Sequence, residues 1–227
     1  MSSRAEILKL ARLLQRDPDG LSYLESVPED DLRALRDQVT ERLFNAQGQT
    51  LSRLAAASKL LPTGLVATIG ERAFGALLCA RVAGLLEPSR AADIAAKLPT
   101  PFLADVAIEL DPRRAHEVIG QIPAARVAEV AGELAARGEY VTLGRFVGHV
   151  TPEALTATLK RLSDEDVLRT GFVLEDKAGL EELAELLGDE RLGSLVDVAE
   201  RADLEEEGRE LLSHLSATRR AAFEPTN

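Results

Sequence analysis

A fixed period of twelve residues constrains the fold of this chain more than any other feature. It divides residues 87–134 into four units that each end in Leu or Ile, and proline stands at or near the start of every unit. Such a period is evidence about architecture, because each unit repeats one piece of local structure. Apolar side chains recur at the fifth, eighth and ninth places of the units: Ala91, Ile94, Ala95, Leu103, Val106, Ala107, Ala115, Val118, Ile119, Val127, Val130 and Ala131.

Each unit predicts one short helix. Proline fits the first helical turn, where its missing N–H group is not needed, and apolar positions three and four apart fall on one face. Asp111 and Thr151 stand directly before a proline and are predicted N-caps. Helices this short are not stable alone in water and must pack on their neighbours. We therefore predict an all-α fold, a superhelix of short helices with a twelve-residue repeat, preceded by longer N-terminal helices.

The period continues after residue 134 with some irregularity. Units 151–162, 163–174 and 188–199 have twelve residues, whereas 135–150 is longer by four and 175–187 by one. The stretch 140–147 has the composition of either a strand or a helix, and the local repeat favours the helix. Gly144 and Gly148, four residues apart, would leave a groove for a close neighbour on such a helix.

Three runs of the chain resemble a known family. LEPSRAADIAAKLP, IELDPRRAHEVIGQIP and HVTPEALTATLKRLSDEDV are similar to the helical repeats in the cytosolic N-terminal domain of MgtE-type magnesium transporters, and to related repeats of the flagellar motor switch protein FliG. The resemblance covers residues 85–199. It implies a right-handed superhelix and a regulatory role, since in the transporters this domain closes the pore when magnesium is abundant. A magnesium sensor of this kind would work with a separate partner.

The pattern predicts two regions, residues 1–84 as an N-terminal helical region and residues 85–227 as the repeat region with an acidic end. In the first region, Leu32, Leu35, Val39 and Leu43 have helical spacing, and this helix either continues to residue 60 or breaks near residue 48. The remaining N-terminal predictions are a helix over 4–15, a turn over 17–20 and a short helix over 21–26.

The most apolar stretch of the chain is a predicted helix near residues 63–85. A membrane span needs about 20 nearly uninterrupted apolar residues, and Glu71 and Arg72 interrupt this stretch near its middle. We therefore expect no membrane span. Two alternatives stay open: a central buried helix onto which both halves of the chain pack, or an apolar contact surface. Under the second alternative, the predicted partner-binding residues are Phe74, Leu77 and Leu78.

Nearly all the charge imbalance of the chain is local. Residues 175–210 carry a net charge of −10, and the whole chain carries −11. A solvated end cap, which repeat proteins need for solubility, explains this composition. The alternatives are a docking face for a basic partner and a divalent-cation site, because Mg²⁺ binds carboxylates together with waters. The metal-ligand candidates are Glu205, Glu206 and Glu207.

No catalytic or cofactor-binding motif is present in the sequence. The three histidines, His116, His149 and His214, are far apart and have no partner at metal-site spacing. The single Cys79 excludes an internal disulfide and is expected to be a small buried side chain. An acidic chain with isolated arginine doublets also argues against nucleic acid, whose backbone is bound by clustered Lys and Arg.

These observations predict a non-enzymatic helical-repeat protein that acts as a protein-interaction or regulatory scaffold. The alternative is a divalent-cation (Mg) or small-molecule sensor that works with a separate partner. No cofactor is predicted, a protein partner is expected, and a homodimer is compatible with the sequence. The N-terminus does not resemble a signal peptide, which predicts a cytoplasmic protein. Arginine outnumbers lysine about four to one, which indicates a GC-rich bacterial genome.

Overall fold

All regular structure in the described part of the chain is helical. The computed structural model describes residues 3–14, 16–45, 48–174, 179–202 and 204–214, and these contain no strand. The all-α prediction is therefore confirmed. The α-helices are α1 Ser3–Leu14, α2 Glu29–Asn45, α3 Gly48–Ser58, α4 Thr63–Ile69, α5 Gly75–Ala83, α6 Pro88–Ala95, α7 Thr100–Glu109, α8 His116–Ile119, α9 Ala124–Ala136, α10 Tyr140–Phe146, α11 Pro152–Arg161, α12 Asp164–Phe172, α13 Gly179–Arg201 and α14 Glu205–Ser213.

Helix starts follow the twelve-residue units closely. Five helices, α6, α7, α9, α11 and α12, begin at the second residue of a unit. Thr151 caps α11, because its side chain accepts a hydrogen bond from the Ala154 amide at 3.2 Å. Asp111 accepts a hydrogen bond from the Arg113 amide at 3.1 Å, but in a turn, since α8 begins only at His116. Thr151 is therefore a helix N-cap as predicted, and Asp111 is not.

The repeated apolar positions form the core of this region. Of the twelve residues at the fifth, eighth and ninth places of units 87–134, ten are buried, and Val127 and Val130 are half-buried. The helices pack mainly on the second helix along the chain: α4 on α6, α5 on α7, α6 on α8, α7 on α9, α9 on α11 and α10 on α12. The superhelical arrangement of these pairs stays a prediction.

The N-terminal helices form a small core of their own. Ile7, Leu10 and Ala11 of α1 pack with Leu21 and Leu32. Between α1 and α2 lies a 3-10 helix, Pro18–Leu24, where we expected a turn followed by a helix from residue 21. Because α4 packs on α6 and α5 on α7, the last helices of the N-terminal region also pack on the repeat region. The division into 1–84 and 85–227 stays a prediction.

The stretch with two alternatives, residues 140–147, is helical, as the local repeat favoured. Gly144 lies where α10 approaches α12: a Cβ atom there would stand 3.2 Å from the Val173 carbonyl oxygen. Gly148 has no atom within 4 Å of the same position. Only the first of the two glycines therefore serves a close helix contact.

The apolar stretch near 63–85 is not one buried helix. It consists of α4, a π-helical turn over Gly70–Phe74, and α5, and Gly75 has φ +75° and ψ 171° at the junction. Small residues make its inner face: Ala67, Gly70 and Ala80 are buried, and the Cys79 sulfur lies 3.0 Å from where a Cβ of residue 70 would be. The stretch is therefore not a single helix, and it is partly core and partly surface: α5 packs on both α3 and α7, Val66 and Leu86 pack against the core, and Phe74 and Leu77 are exposed. The choice between a continuous helix to residue 60 and a break near residue 48 depends on residues 46 and 47, which lie outside the described residues; α2 is described to Asn45 and α3 from Gly48.

Candidate functional site

Exposed apolar side chains concentrate between residues 60 and 85. Six of the ten large hydrophobic residues that are exposed in the described part of the chain lie in this segment: Leu60, Leu61, Leu65, Phe74, Leu77 and Leu85. Two of the three predicted contact residues belong to this set, with 46% of Phe74 and 48% of Leu77 exposed, while Leu78 is half-buried. We call the set the apolar surface. Exposed apolar side chains mark interaction sites when they form a contiguous patch; Leu77 also lines a cleft that α5 shares with α1 and α2.

The charge around the apolar surface differs from that of the whole chain. Residues 53–97 contain six Lys or Arg and three Asp or Glu, a net charge of +3, whereas the chain carries −11. Arg53, Lys59, Arg72 and Lys97 are exposed. The apolar surface therefore lies in a locally basic segment of an acidic protein.

A second apolar feature is a cavity of about 430 Å³ between α10, α11, α12, α13 and α14. Its walls are almost entirely aliphatic, with Leu159, Leu168 and Leu192 among the buried lining residues. Two threonines, Thr158 and Thr170, also line it, and the Oγ1 atom of each is buried without a hydrogen-bond partner. Ligand pockets in proteins have volumes in this range and the same mostly apolar walls with a few polar groups.

Two ionic groups hold the walls of this cavity in place. The Asp164 carboxylate at the start of α12 accepts hydrogen bonds from Arg191 Nε at 2.8 Å and from Ser194 Oγ at 2.5 Å, both on α13. Burial alone would raise the pKa of Asp164. The hydrogen bonds from Ser194 and Arg191 lower the pKa by more than burial raises it, so the net pKa lies below the ordinary value. Asp164 is therefore held in its charged form at neutral pH.

The threonines of the cavity were not identified from the sequence, although a signal for them exists. Thr158 and Thr170 occupy the eighth places of units 151–162 and 163–174. The four units from residue 87 to residue 134 have Ile or Val at this place. Hydroxyl-bearing residues at two consecutive eighth places are a departure from this pattern.

The acidic end is more than a solvated cap. Leu180, Leu192, Leu195 and Leu204 from residues 175–210 are buried in one apolar cluster with Leu168 of α12. The backbone of Glu205, Glu206 and Glu207 forms the first turn of α14, but their side chains lie outside the described part of the structure. Within that part, no group of three or more His, Cys, Asp or Glu side chains is placed to hold a metal ion. The metal role of the three glutamates stays a prediction.

A cleft of about 300 Å³ lies where α1 and α2 face α5, α7 and α10. Basic side chains dominate its lining: Lys9, Arg12, Arg36, Arg81, Arg113 and Arg145. Neighbouring carboxylates match much of this charge. Glu6 pairs with Lys9 at 2.8 Å and with Arg36 at 3.1 Å, and Arg12 pairs with Glu139 at 3.0 Å. Two ion pairs at the cleft, Arg12 with Glu139 and Arg113 with Asp37 at 3.4 Å, join the N-terminal helices to the repeat region.

The remaining candidate residues have ordinary surroundings. Cys79 is half-buried, and burial raises the pKa of its thiol, which disfavours the reactive thiolate. His116 and His149, distant in sequence, line the same shallow depression together with Arg113. The His116 Nδ1 atom lies 3.2 Å from the Arg113 carbonyl oxygen. Neither histidine belongs to a cluster of metal-ligating side chains in the described residues.

Comparison with known proteins gives no relative for this chain: no protein-family model, no curated protein and no solved structure matches it. The resemblance to the MgtE-type N-terminal domain and to the FliG repeats therefore stays a prediction. Among the helices that the structure describes, none is long and apolar enough to cross a membrane.

Proposed function

We propose that this chain is a non-enzymatic helical-repeat protein that acts as an interaction or regulatory scaffold, and that its apolar surface binds a protein partner. The observation that carries the proposal is the concentration of exposed large apolar residues between positions 60 and 85. Burial of such side chains on association is the main favourable term in protein binding. Ala67 and Ala80 are buried in one cluster with residues of the repeat helices, whereas Leu65, Phe74 and Leu77 are exposed and available for contact.

Charge complementarity defines the chemistry of the partner. The segment around the apolar surface is net positive, so it fits a protein segment with an apolar face and acidic flanks. Charged groups at the rim of an interface accelerate association and select partners. Binding through this surface should accordingly weaken as the salt concentration rises.

The test uses the full-length chain and one double variant, Phe74→Ser with Leu77→Ser. A partner captured from lysate is first identified and purified, and its affinity is then measured by calorimetry. We expect the double variant to bind at least tenfold more weakly, since truncation of the few central residues that dominate an interface costs about 2 kcal/mol or more. Tyr23→Ser is the matched control, because Tyr23 is 71% exposed but lies in the 3-10 helix away from the apolar surface.

Two further measurements test the charge of the partner and its identity. Arg72→Glu should reduce the association rate and the salt dependence if acidic flanks contact this segment. Equal affinities for the wild type and the double variant would contradict the proposal. Sedimentation of the purified chain tests whether the partner is a second copy of this chain. If the wild type forms a dimer and the double variant does not, the apolar surface binds a second copy and not a different protein.

The second candidate function is a sensor for a divalent cation or a small molecule, and the net charge of −10 over residues 175–210 favours the cation. Bound Mg²⁺ would stabilise the fold by about 2.7 kcal/mol at a hundredfold excess over Kd. Thermal melting in MgCl₂ is compared with melting in NaCl at the same ionic strength. A saturable, magnesium-specific rise that is lost in the triple variant Glu205→Gln, Glu206→Gln, Glu207→Gln supports the sensor. Equal rises in both salts indicate screening alone.

A further inference from the structure

Leu186 differs from the other leucines of the acidic end in its exposure. Ten large hydrophobic residues are exposed in the described part of the chain, and Leu186, at 40%, is the only one of them within residues 175–210. Its neighbours Leu183 and Leu187 are half-buried and line the cavity between α10 and α14, whereas Leu186 is outside that lining and faces solvent. The chain therefore presents a second exposed apolar site, distant in sequence from the apolar surface.

Carboxylates flank Leu186 on both sides. Residues 181–191 contain five Asp or Glu and one basic residue, Arg191, which forms an ion pair with a carboxylate of α12. Glu185 and Glu190 are exposed. We call Leu186 together with these two glutamates the Leu186 site. It has the chemistry that the apolar surface requires of a partner, namely an exposed apolar side chain with acidic flanks.

The apolar surface meets a cleft that suits such a partner. Leu77 belongs to both, because it is 48% exposed and also lines the cleft that α1 and α2 form with α5, α7 and α10. The walls of this cleft include the apolar side chains of Leu13, Ile108 and Val141, and its lining contains six Lys or Arg against two Asp or Glu. A leucine flanked by carboxylates is complementary to a site of this kind, in which apolar and cationic side chains alternate.

The distribution of charge along the chain favours contact between unlike parts of two copies. Residues 53–97 carry a net charge of +3, and residues 175–210 carry −10. Two copies that met through the same segment would bring like charges together, which is unfavourable. Contact of the basic segment of one copy with the acidic segment of another brings opposite charges together. A second copy of the chain therefore has the required charge as well as the required apolar side chain.

We propose that the apolar surface binds the Leu186 site of a second copy of this chain, with Leu186 against Leu77 and with Glu185 and Glu190 near the basic side chains of the cleft. The contact joins different surfaces of the two copies, so its repetition forms a closed ring or an open filament. The inference rests on the proposed function, because it names the partner of the same apolar surface.

The test is sedimentation of the purified full-length chain over a range of concentrations. The wild type is expected to self-associate, and the variants Leu186→Ser and Phe74→Ser with Leu77→Ser are each expected to weaken the association at least tenfold, since each removes a central apolar contact. High salt should also weaken it. Leu14→Ser is the matched control and should associate as the wild type does, because Leu14 is similarly exposed, at 43%, but does not line the cleft.

A mixture of the two variants distinguishes this contact from one between identical surfaces. Each variant keeps one intact site, so an equimolar mixture should regain one interface per pair and form a dimer at concentrations where either variant alone is monomeric. This dimer would also show that both variants are folded. The proposal is overturned if Leu186→Ser associates like the wild type, or if the mixture stays monomeric.

The outcomes separate this inference from the scaffold proposal. A wild-type chain that is monomeric at its highest soluble concentration overturns the self-association. The scaffold proposal survives that result if a different protein loses affinity for the double variant, Phe74→Ser with Leu77→Ser, and keeps it for Leu186→Ser.

Discussion

The guanidinium group of Arg126 on α9 donates a hydrogen bond to the carbonyl oxygen of Leu98, which follows α6, at 2.5 Å. Three other arginines make the same contact with a leucine at the end of an earlier helix: Arg90 with Leu61 at 2.5 Å, Arg145 with Leu110 at 2.6 Å, and Arg191 with Leu162 at 2.7 Å. Carbonyl groups at helix ends lack partners inside their own helix. A cationic donor satisfies them and also interacts favourably with the negative end of the helix dipole.

Replacement of Arg126 by methionine tests the strength of this contact. Arg126→Met keeps the aliphatic packing but removes the donors to Leu98 and to the Thr100 hydroxyl, which accepts from Arg126 at 2.6 Å. Hydrogen bonds that involve a charged group contribute about 1.5–3 kcal/mol. We expect a loss of that size in the free energy of unfolding, measured by urea denaturation.

The control for this prediction is Arg201→Met. Arg201 is exposed, and it makes a local hydrogen bond from Nε to the Asp197 carbonyl oxygen in the same helix. Exposed local interactions of this kind contribute about 0.5 kcal/mol or less. Equal losses in the two variants would show that the contact between helices has no special weight.

The arginine contacts left a signal in the sequence that hydrophobic periodicity does not detect. Arg90, Arg114, Arg126 and Arg191 all stand at the fourth place of a unit. Three of them make the contact with a carbonyl group of an earlier helix. The arginine side of the contact therefore recurs as a polar position of the repeat. The hydrogen-bond partner of each arginine is a backbone atom 28 to 32 residues away. The sequence gives no sign of this partner, because every residue has the same backbone carbonyl group. Only the packed structure reveals that partner.

A buried ionic cluster between α1 and α2 gives the second prediction. Glu6 is 1% exposed, and its partners Lys9 and Arg36 are 4% and 7% exposed. Removal of one member of a buried ion pair leaves an uncompensated charge, which costs about 3–5 kcal/mol. Glu6→Leu is expected to destabilise the chain by that amount in urea denaturation.

The triple variant Glu6→Leu, Lys9→Met, Arg36→Met distinguishes the cost of an unpaired charge from the cost of lost packing. Apolar replacement of an entire buried ion cluster is often neutral or stabilising. We expect the triple variant to recover most of the stability that Glu6→Leu loses. A triple variant less stable than the single one would mean that the charges themselves stabilise the N-terminal helices.

Gly75 gives the third prediction, because its backbone lies in a region that residues with a side chain rarely adopt. At φ +75° and ψ 171° it separates the π-helical turn from α5. A Cβ atom there meets nothing within 4 Å, so the effect of Gly75→Ala comes from backbone strain alone. Such strain costs about 1–3 kcal/mol, measurable by thermal or urea unfolding.

Gly148→Ala is the matched control, since Gly148 also has open space at its Cβ position but no positive φ. Replacement of a glycine that is not strained stabilises by about 0.4–1 kcal/mol through the unfolded state. Opposite signs for the two variants are expected. A neutral Gly75→Ala would show that the helix can run straight through this junction.

The sequence was a good guide to local structure and a poor one to exposure. Apolar residues three and four apart indicate a helix from only one or two turns of sequence. The helix starts of the repeat region therefore follow the predicted units. The orientation of the 63–85 segment depends on what packs against it, and its small residues proved to be the buried ones. The cavity is lined by five consecutive helices, α10 to α14, and their packing is not visible in the repeat pattern, which shows only a departure at Thr158 and Thr170.

The last prediction concerns the pH dependence that Asp164 gives to stability. Its pKa in the folded chain is lowered, since the hydrogen bonds from Ser194 and Arg191 outweigh the effect of burial. A lowered pKa stabilises the fold at every pH above the unfolded value, about 3.9 for aspartate, and this contribution disappears as the pH falls through the folded pKa. The stability difference between the wild type and Asp164→Asn should be constant from pH 7 to about pH 5 and should shrink below about pH 4.

Ser194→Ala should raise the pKa of Asp164 toward its ordinary value in an NMR titration of the carboxyl carbon. Ser213→Ala, which removes only an exposed bond to the Glu210 carbonyl oxygen, should leave that titration unchanged. A wild-type titration of Asp164 at the ordinary value would contradict the hydrogen-bonded bridge between α12 and α13.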